Sequence, residues 1–376
     1  MSLKDVFCQD RAIAILQRGL AADRAAHAYL FAGPEGVGKY KTAREWARLL
    51  LCQSPKVEQG RDGPFADSCG SCESCTLMEA GSHPDYAHVY KELLEYTREG
   101  KGKKTPVDLA IDVIREFLIE QVASRPMLSK RKVYVVSEAQ KLNVNSQNAL
   151  LKVLEEPPSY CTIILLCTRL EDLLPTIKSR CQIVRFGPVE EKRIVAQLTA
   201  AGLGSREALF FARLAQGSLG LACQWARLES DGIGLFGTKK ALIASLADYK
   251  LAGVPEIVDR IQEEAKRIAA GWGNLDKATS KSDLTRRAQR TLIQILISAL
   301  YDAAIHHVAA ERPMVNTDQT QEIARLAQRL GPEQAIEGIR EGYEMLRWLD
   351  DNVNDRLILE RLLFRLARSA IIATQS

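Results

Sequence analysis

The sequence predicts an α/β domain built on a mostly parallel sheet, followed by two all-helical segments. Three observations carry this expectation. Between Ala28 and about Phe186, short β-branched or aromatic runs alternate with helical patterns, the signature of strands covered by helices. A glycine-rich loop, Gly33 to Tyr40, follows directly on the first of those runs and leads into a helical stretch. After Gly187-Pro188 the strand-like runs stop, and the remainder reads as helix. The 376 residues exceed the ~150 typical of one domain and leave room for full hydrophobic cores.

The expected strands are Ala28–Ala32 (AYLFA), Tyr86–Tyr90 (YAHVY), Lys132–Val136 (KVYVV), Thr162–Cys167 (TIILLC) and Gln182–Phe186 (QIVRF). Arg98–Thr105 (REGKGKKT) is basic and contains glycine, and it reads as an exposed loop rather than a DNA contact. From Pro188 to about Glu229 a short helical segment is expected, with Gly204 and Gly217 at helix ends. A second shift falls at Ser230–Gly237, beyond which amphipathic helices run to the C-terminus. Ala288, Leu292, Ile295, Leu296, Ala299 and Ala303 form one helical stripe behind a Ser282-Asp283 cap. A later stripe runs from Leu359 to Ile371 with Asn354 as its cap. Both stripes suit intramolecular packing and a subunit interface equally. The domains expected are therefore 1–187, carrying a cysteine-rich module at 52–75, then 188–232 and 233–376.

Composition narrows the function classes. Lys+Arg 51 against Asp+Glu 47 gives +4, with 46% hydrophobic and 26% charged residues, so neither disorder nor a strongly basic DNA-binding surface is indicated. No apolar run approaches the ~20 residues that span a bilayer, and the N-terminal residues lack a signal-peptide pattern. A soluble cytoplasmic protein is expected.

Gly33 to Tyr40 (GPEGVGKY) fits the phosphate-binding pattern of glycine, four residues, glycine and lysine in the required strand-loop-helix setting. Gly33, Gly36 and Gly38 let backbone amides close around phosphate oxygens, and Lys39 reaches the outer phosphates. The next position, where a Ser or Thr hydroxyl binds magnesium, is Tyr40. Thr42 cannot replace it, because two residues along a helix turn it roughly 200° around the axis. The strand that should end in Asp-Glu ends in Ser137-Glu138, which keeps the potential base and loses the acid on the metal side. Hydrolysis is not expected. ATP or ADP binding and a purely structural tight turn both fit the loop.

Cys69, Cys72 and Cys75 have two residues between successive members, and sixteen residues separate Cys52 from Cys69. Four thiolates are what a closed tetrahedral structural zinc site needs, and they leave no open position for catalytic water. Cys161, Cys167 and Cys223 fall in apolar patterns and read as small buried hydrophobes.

Together, HAYLFAGPEGVGK (His27–Lys39), the four cysteines, HPD (His83–Asp85), SQNALLKVLEEPP (Ser146–Pro158) and SRC (Ser179–Cys181) resemble the bacterial clamp-loader AAA+ subunits of DNA polymerase III, gamma/tau and delta-prime. NDRLILERLLFRL (Asn354–Leu366) is similar to the family's collar helix. The resemblance implies an AAA+ P-loop domain, a small helical lid and a helical collar through which five subunits assemble. It implies that Arg180 acts as a finger in a neighbour's ATP site. The lid reads Gly217-Ser218-Leu219-Gly220-Leu221-Ala222, with Gly220 where motor subunits carry a nucleotide-sensing arginine. Tyr40, Ser137 and Gly220 together resemble the delta-prime type. The implied function is that of a non-hydrolysing stator, working with gamma/tau motors and the delta clamp opener to load the sliding clamp on primed DNA. The alternative is an active gamma/tau-type ATPase. His83 and Asp85 are expected to fix a turn, Glu155 and Glu156 to shape the fold or an interface, and Cys181 to pack.

Overall fold

The computed structural model describes residues 2–22, 24–60, 63–100, 108–248, 250–275, 279–308, 312–349 and 354–373. They form two compact units, one ending at Val189 and the other beginning at Glu190.

The first unit contains α1 (Asp10–Ala21), β1 (Ala28–Ala32), α2 (Lys39–Leu51), β2 (Lys56–Gly60), β3 (Gly63–Asp67), α3 (Glu73–Ala80) and β4 (Tyr86–Val89). Next come α4 (Ile111–Ile114), a π turn at Arg115–Ile119, α5 (Glu120–Val122), β5 (Lys132–Val136), α6 (Val144–Glu155), β6 (Cys161–Cys167), α7 (Pro175–Arg180) and β7 (Gln182–Arg185). Five strands make a wholly parallel sheet in the order β4-β5-β6-β1-β7. Both faces of such a sheet are covered, so its strands are apolar throughout rather than alternating. In β1 all five residues are buried. Leu30 joins Val136, Ile163 and Leu165 on one face, while Tyr29 and Phe31 join Trp46, Val135 and Ile164 on the other.

The five expected strands are present, with small shifts: β4 stops at Val89, β6 begins at Cys161 and β7 stops at Arg185. The antiparallel hairpin β2–β3 was not expected, because KVEQG and GPFAD lack an apolar period. It is anchored by the Gln17 side-chain amide, which accepts from Ala66 N at 2.8 Å and donates to Ala66 O at 2.7 Å. Of the basic stretch Arg98–Thr105, residues 101–105 lie outside the described residues.

Among its described residues the second unit has helices and no strand: α8 (Glu191–Ala200), α9 (Ser205–Leu214), α10 (Leu219–Ser230), α11 (Leu235–Asp248), α12 (Val254–Leu275), α13 (Lys281–Val308), α14 (Thr320–Trp348) and α15 (Asp355–Ala373). The cap of α13 is Ser280, whose Oγ accepts from Asp283 N at 3.2 Å, and not the expected Ser282-Asp283 pair. Asn354 caps α15 as expected, its Oδ1 accepting from Arg356 N at 3.0 Å. On length and composition α13 is long and apolar enough to cross a membrane, although Gln294, Ser298 and Asp302 interrupt its apolar runs. Most of α13 is buried as the core helix of this unit. Its Asp302, fully buried, is satisfied by Val315 N at 2.8 Å and by Asn316 N and Nδ2, both at 2.7 Å.

Candidate nucleotide site and metal centre

The phosphate loop connects β1 to α2 and has the backbone its glycines permit. Gly36 and Gly38 take φ of 71° and 103°, a region that favours glycine. Gly33 donates its N–H to Cys167 O at 3.2 Å, and a Cβ there would meet Phe186 O at 2.4 Å, so only glycine fits against the end of β7. Lys39 folds onto the loop, its Nζ donating to Gly33 O at 2.6 Å and Pro34 O at 2.5 Å. Burial pulls the Lys39 ammonium below its ordinary pKa, and Glu35 offsets part of this. Thr42 Oγ1 bonds back to Gly38 O at 2.9 Å, within its own helix.

An aromatic stack stands beside this loop, on the side where the pattern calls for metal ligands. Tyr40 lies against His88, with ring centroids 4.6 Å apart, and His88 against Tyr90 at 4.9 Å. His88 Nε2 and Ser137 Oγ are 2.8 Å apart, so the residue in place of the metal-side acid is engaged with an imidazole. Glu138 has φ of 52° and pairs with Lys141 Nζ at 2.5 Å. His88 and Tyr90 carry no motif that marks them in the sequence. Their i, i+2 spacing places both on one face of the strand and its extension, which was the available signal.

The four cysteines converge. Cys52 caps the C-terminus of α2, Cys72 caps the N-terminus of α3, and all four sulfurs lie within 4.8 Å of one another. The separations are 3.8 Å for Cys52–Cys72, 3.9 Å for Cys69–Cys75 and 3.7 Å for Cys75–Cys52. A tetrahedron with Zn–S bonds of ~2.3 Å has edges of ~3.8 Å, so the donor set fits zinc. Backbone N–H groups of Cys69 and Cys72 point at the sulfurs of Cys52 and Cys69, each at 3.3 Å. N–H groups from Ser71 and Cys72 bring the Cys69 thiol down to about 6, whereas burial pushes Cys52 up to about 12 and raises Cys75. Arg48 was not foreseen: its guanidinium hydrogen-bonds Cys75 and pairs with Glu79 at 3.0 Å, placing a cation beside the thiolates.

Arg180 is the last residue of α7. Its Nη1 donates to Thr176 O at 3.1 Å and its Nη2 pairs with Glu155 Oε1 at 2.8 Å, at the end of α6. About a third of the Arg180 side chain and half of Glu155 are exposed. Cys181 is buried, as are Cys161 and Cys167, whereas Cys223 is half-buried.

Residues 8–190 match a family model described as DNA polymerase III, delta subunit, and residues 280–368 match one described as DNA polymerase III, delta subunit, C terminal. The DNA polymerase III subunit delta' of Escherichia coli is 32% identical over 92% of this chain and 90% of its own length. The chain belongs to the delta-prime family of DNA polymerase III subunits. The delta' subunit of Pseudomonas aeruginosa is 40% identical over 42% of each chain, so that match spans under half the relative's length. The DNA polymerase III subunit tau/gamma of Haemophilus influenzae is 36% identical over 52% of this chain and 25% of its own. The first unit, with its phosphate loop between β1 and α2, has the AAA+ P-loop fold expected of the family.

In this delta-prime chain, HPD fixes a turn, as expected. Asp85 accepts from Met127 N at 2.6 Å and from Leu128 N and Ser129 N, both at 2.8 Å. His83 Nδ1 accepts from Asp85 N at 3.0 Å, which leaves Nε2–H to donate to Ser74 Oγ at 2.7 Å. Ser74 Oγ in turn donates to Leu51 O at 2.7 Å, tying α3 to the end of α2. Burial would raise the Asp85 pKa, but the three N–H bonds outweigh it and the net direction is down. Burial lowers the pKa of His83, and lowers that of His88 to about 4.

Acid lability follows from these shifts. Both imidazoles bind protons less readily in the fold than in the unfolded chain, so the unfolded state takes up more protons as pH falls. The stability these two imidazoles contribute is complete above about pH 6.5 and declines towards pH 4, at about 1.4 kcal/mol for each unit by which a pKa is depressed. Buried Asp302 and Glu45, whose pKa values burial raises, act in the opposite direction. Asp85 adds a further loss only below its ordinary carboxylate range. Thermal melts from pH 8 to pH 4 are expected to show this decline, and His88→Asn to flatten part of it. An equal slope in the variant would remove His88 from the account.

Proposed function

We propose that this delta-prime family member is a clamp-loader subunit that does not hydrolyse ATP itself. It acts in the bacterial cytoplasm as the stator of a hetero-pentamer with gamma/tau motors and the delta clamp opener, and Arg180 completes a neighbouring motor's ATP site. Sliding-clamp loading on primed DNA is the work of that assembly. The observation that carries this reading is the stack of Tyr40, His88 and Tyr90, with Ser137 bonded to His88, where a hydroxyl and a carboxylate would hold magnesium. Phosphoryl transfer depends on positioning and charge neutralisation at the transferring phosphate, and here Tyr40 and Ser137 stand in place of the hydroxyl and the carboxylate that would hold the metal performing both. In this reading 188–232 is the lid and 233–376 the collar, and Gly220 in the lid offers no side chain to sense nucleotide. Four cysteines at tetrahedral separations support one structural zinc, held by Cys52, Cys69, Cys72 and Cys75.

The test is steady-state ATP hydrolysis by the purified chain, alone and with motor subunits, clamp and primed DNA. The expected result is no turnover alone and faster turnover by the motors when it joins them. Turnover by the isolated chain that disappears with Lys39→Ala would overturn the reading in favour of an active motor.

A further inference from the structure

The phosphate loop and the aromatic stack beside it have opposite implications. Everything that grips phosphate is retained. Gly33 is pinned where no Cβ fits, Gly36 and Gly38 keep left-handed backbones, and Gly38 caps α2, a thirteen-residue helix whose first N–H groups open towards the loop. Lys39 is nine-tenths buried, yet its acceptors are two neutral carbonyls, and no carboxylate lies within ion-pair distance among the described residues. A buried ammonium without an anion is unfavourable unless something negative arrives. Two of its three N–H groups are engaged by the loop, which leaves one to donate outward. A loop that served only as a turn would have no need of this cation.

The metal side is closed. Tyr40 and His88 are in ring contact, His88 and Tyr90 likewise, and Ser137 is engaged by His88. The stack carries no carboxylate, and the Ser137 hydroxyl is already bonded to His88, so the stack offers none of the anionic oxygen that magnesium takes.

We propose that Gly33–Lys39 binds the di- or triphosphate end of a nucleotide without magnesium, the Lys39 ammonium supplying the positive charge that the metal supplies in an active ATPase. This rests on the reading above that the site cannot assemble the metal, and goes beyond it by assigning a ligand and an ion requirement. ADP and ATP should bind in EDTA at least as tightly as in magnesium, because the metal makes no contact with the protein and only lowers the negative charge that the phosphates offer Lys39. Nucleotide would then stabilise the loop as a fixed part of the stator rather than as fuel.

The test is calorimetric titration of the full chain with ADP, ATP and tripolyphosphate, each in magnesium and in EDTA. Affinities in EDTA that equal or exceed those in magnesium, and that fall by tenfold or more in Lys39→Ala, are expected. In the double variant Tyr40→Ser, Ser137→Asp, with circular dichroism confirming the fold, magnesium should tighten ATP binding by tenfold or more. Wild-type binding that requires magnesium would overturn the inference, as would no binding in either condition or binding that survives Lys39→Ala. The accompanying hydrolysis assay separates the two claims. Magnesium-dependent binding without turnover sinks the inference and leaves the stator, whereas magnesium-dependent binding with turnover sinks both.

Discussion

In the assembly proposed above, Arg180→Ala is expected to abolish ATP turnover at the neighbouring motor site, while leaving this chain's own fold and assembly intact. An arginine supplied in trans to a phosphoryl-transfer site is worth ~10³ to 10⁵ in rate, so that site should fall essentially silent. The fold should tolerate the change for a local reason. What Arg180 gives up is a half-exposed ion pair with Glu155 and one bond to Thr176 O, and exposed pairs of this kind contribute ~0–1 kcal/mol. The same weakness suits the proposed role, because an arginine that must turn to a neighbour's phosphate cannot be tightly held at home. Glu155→Gln should therefore preserve motor stimulation. Arg180→Lys should restore little, since a lysine lacks the planar fork that spans two phosphate oxygens. The measurement is single-turnover ATP hydrolysis by the reconstituted loader on clamp and primed DNA, beside thermal melts of the isolated variant. A turnover unchanged by Arg180→Ala would end the finger assignment.

What was legible in the sequence divides along a physical line. The five sheet strands were readable because a parallel sheet buried on both faces requires continuous β-branched and aromatic runs, and KVYVV or CTIILLC admit little else. The β2–β3 hairpin was not, because its apolar contacts are confined to Phe65 and Ala66, with no alternating pattern, and much of its anchoring comes from the Gln17 amide and ladder bonds. The cysteine set was readable from spacing, since three members fall within seven residues. Arg48 was invisible, because its proximity to Cys75 is created by the packing of α2 against the metal module. The phosphate loop shows both cases. The motif and its missing hydroxyl are local, so Tyr40 stood out at once, whereas its partners His88, Tyr90 and Ser137 come from β4, the residue beyond it and the end of β5. Sequence shows that a ligand is absent; only the fold shows what occupies its place. At Arg180 the SRC context suggested a role, but Glu155, the group that holds the side chain in the isolated chain, could not be paired with it from a separation of twenty-five residues.

Replacing Cys72 with Ser should release zinc and loosen the module from residue 52 to residue 75. Freshly purified protein is expected to carry about one zinc per chain, because four thiolates at tetrahedral separation fill its coordination sphere. Folding and binding are coupled here. Burial keeps the Cys52 and Cys75 thiols protonated without a metal, so the ion must displace those protons, and its binding energy then becomes folding energy for the segments that carry the ligands. α3 has further ties, through buried Met78 and through Arg44 Nη2 donating to Met78 O at 3.1 Å, but the turn from Cys69 to Cys72 closes on sulfur. The helix α3 has eight residues, too few to persist alone in water, and its N-terminus is capped by Cys72 itself. The loss should be confined, however, because Ser74, His83 and Ser129 anchor the far end of the module to Leu51 O by bonds that do not involve sulfur. Cys72→Ser should therefore lower stability by a few kcal/mol and expose the 52–75 segment to proteolysis, while the parallel sheet survives. Metal analysis beside limited proteolysis decides it. Zinc-free wild-type protein with a protected module would show that the cysteines pack as thiols, whereas a variant that loses the whole sheet would mean that the metal supports the entire domain.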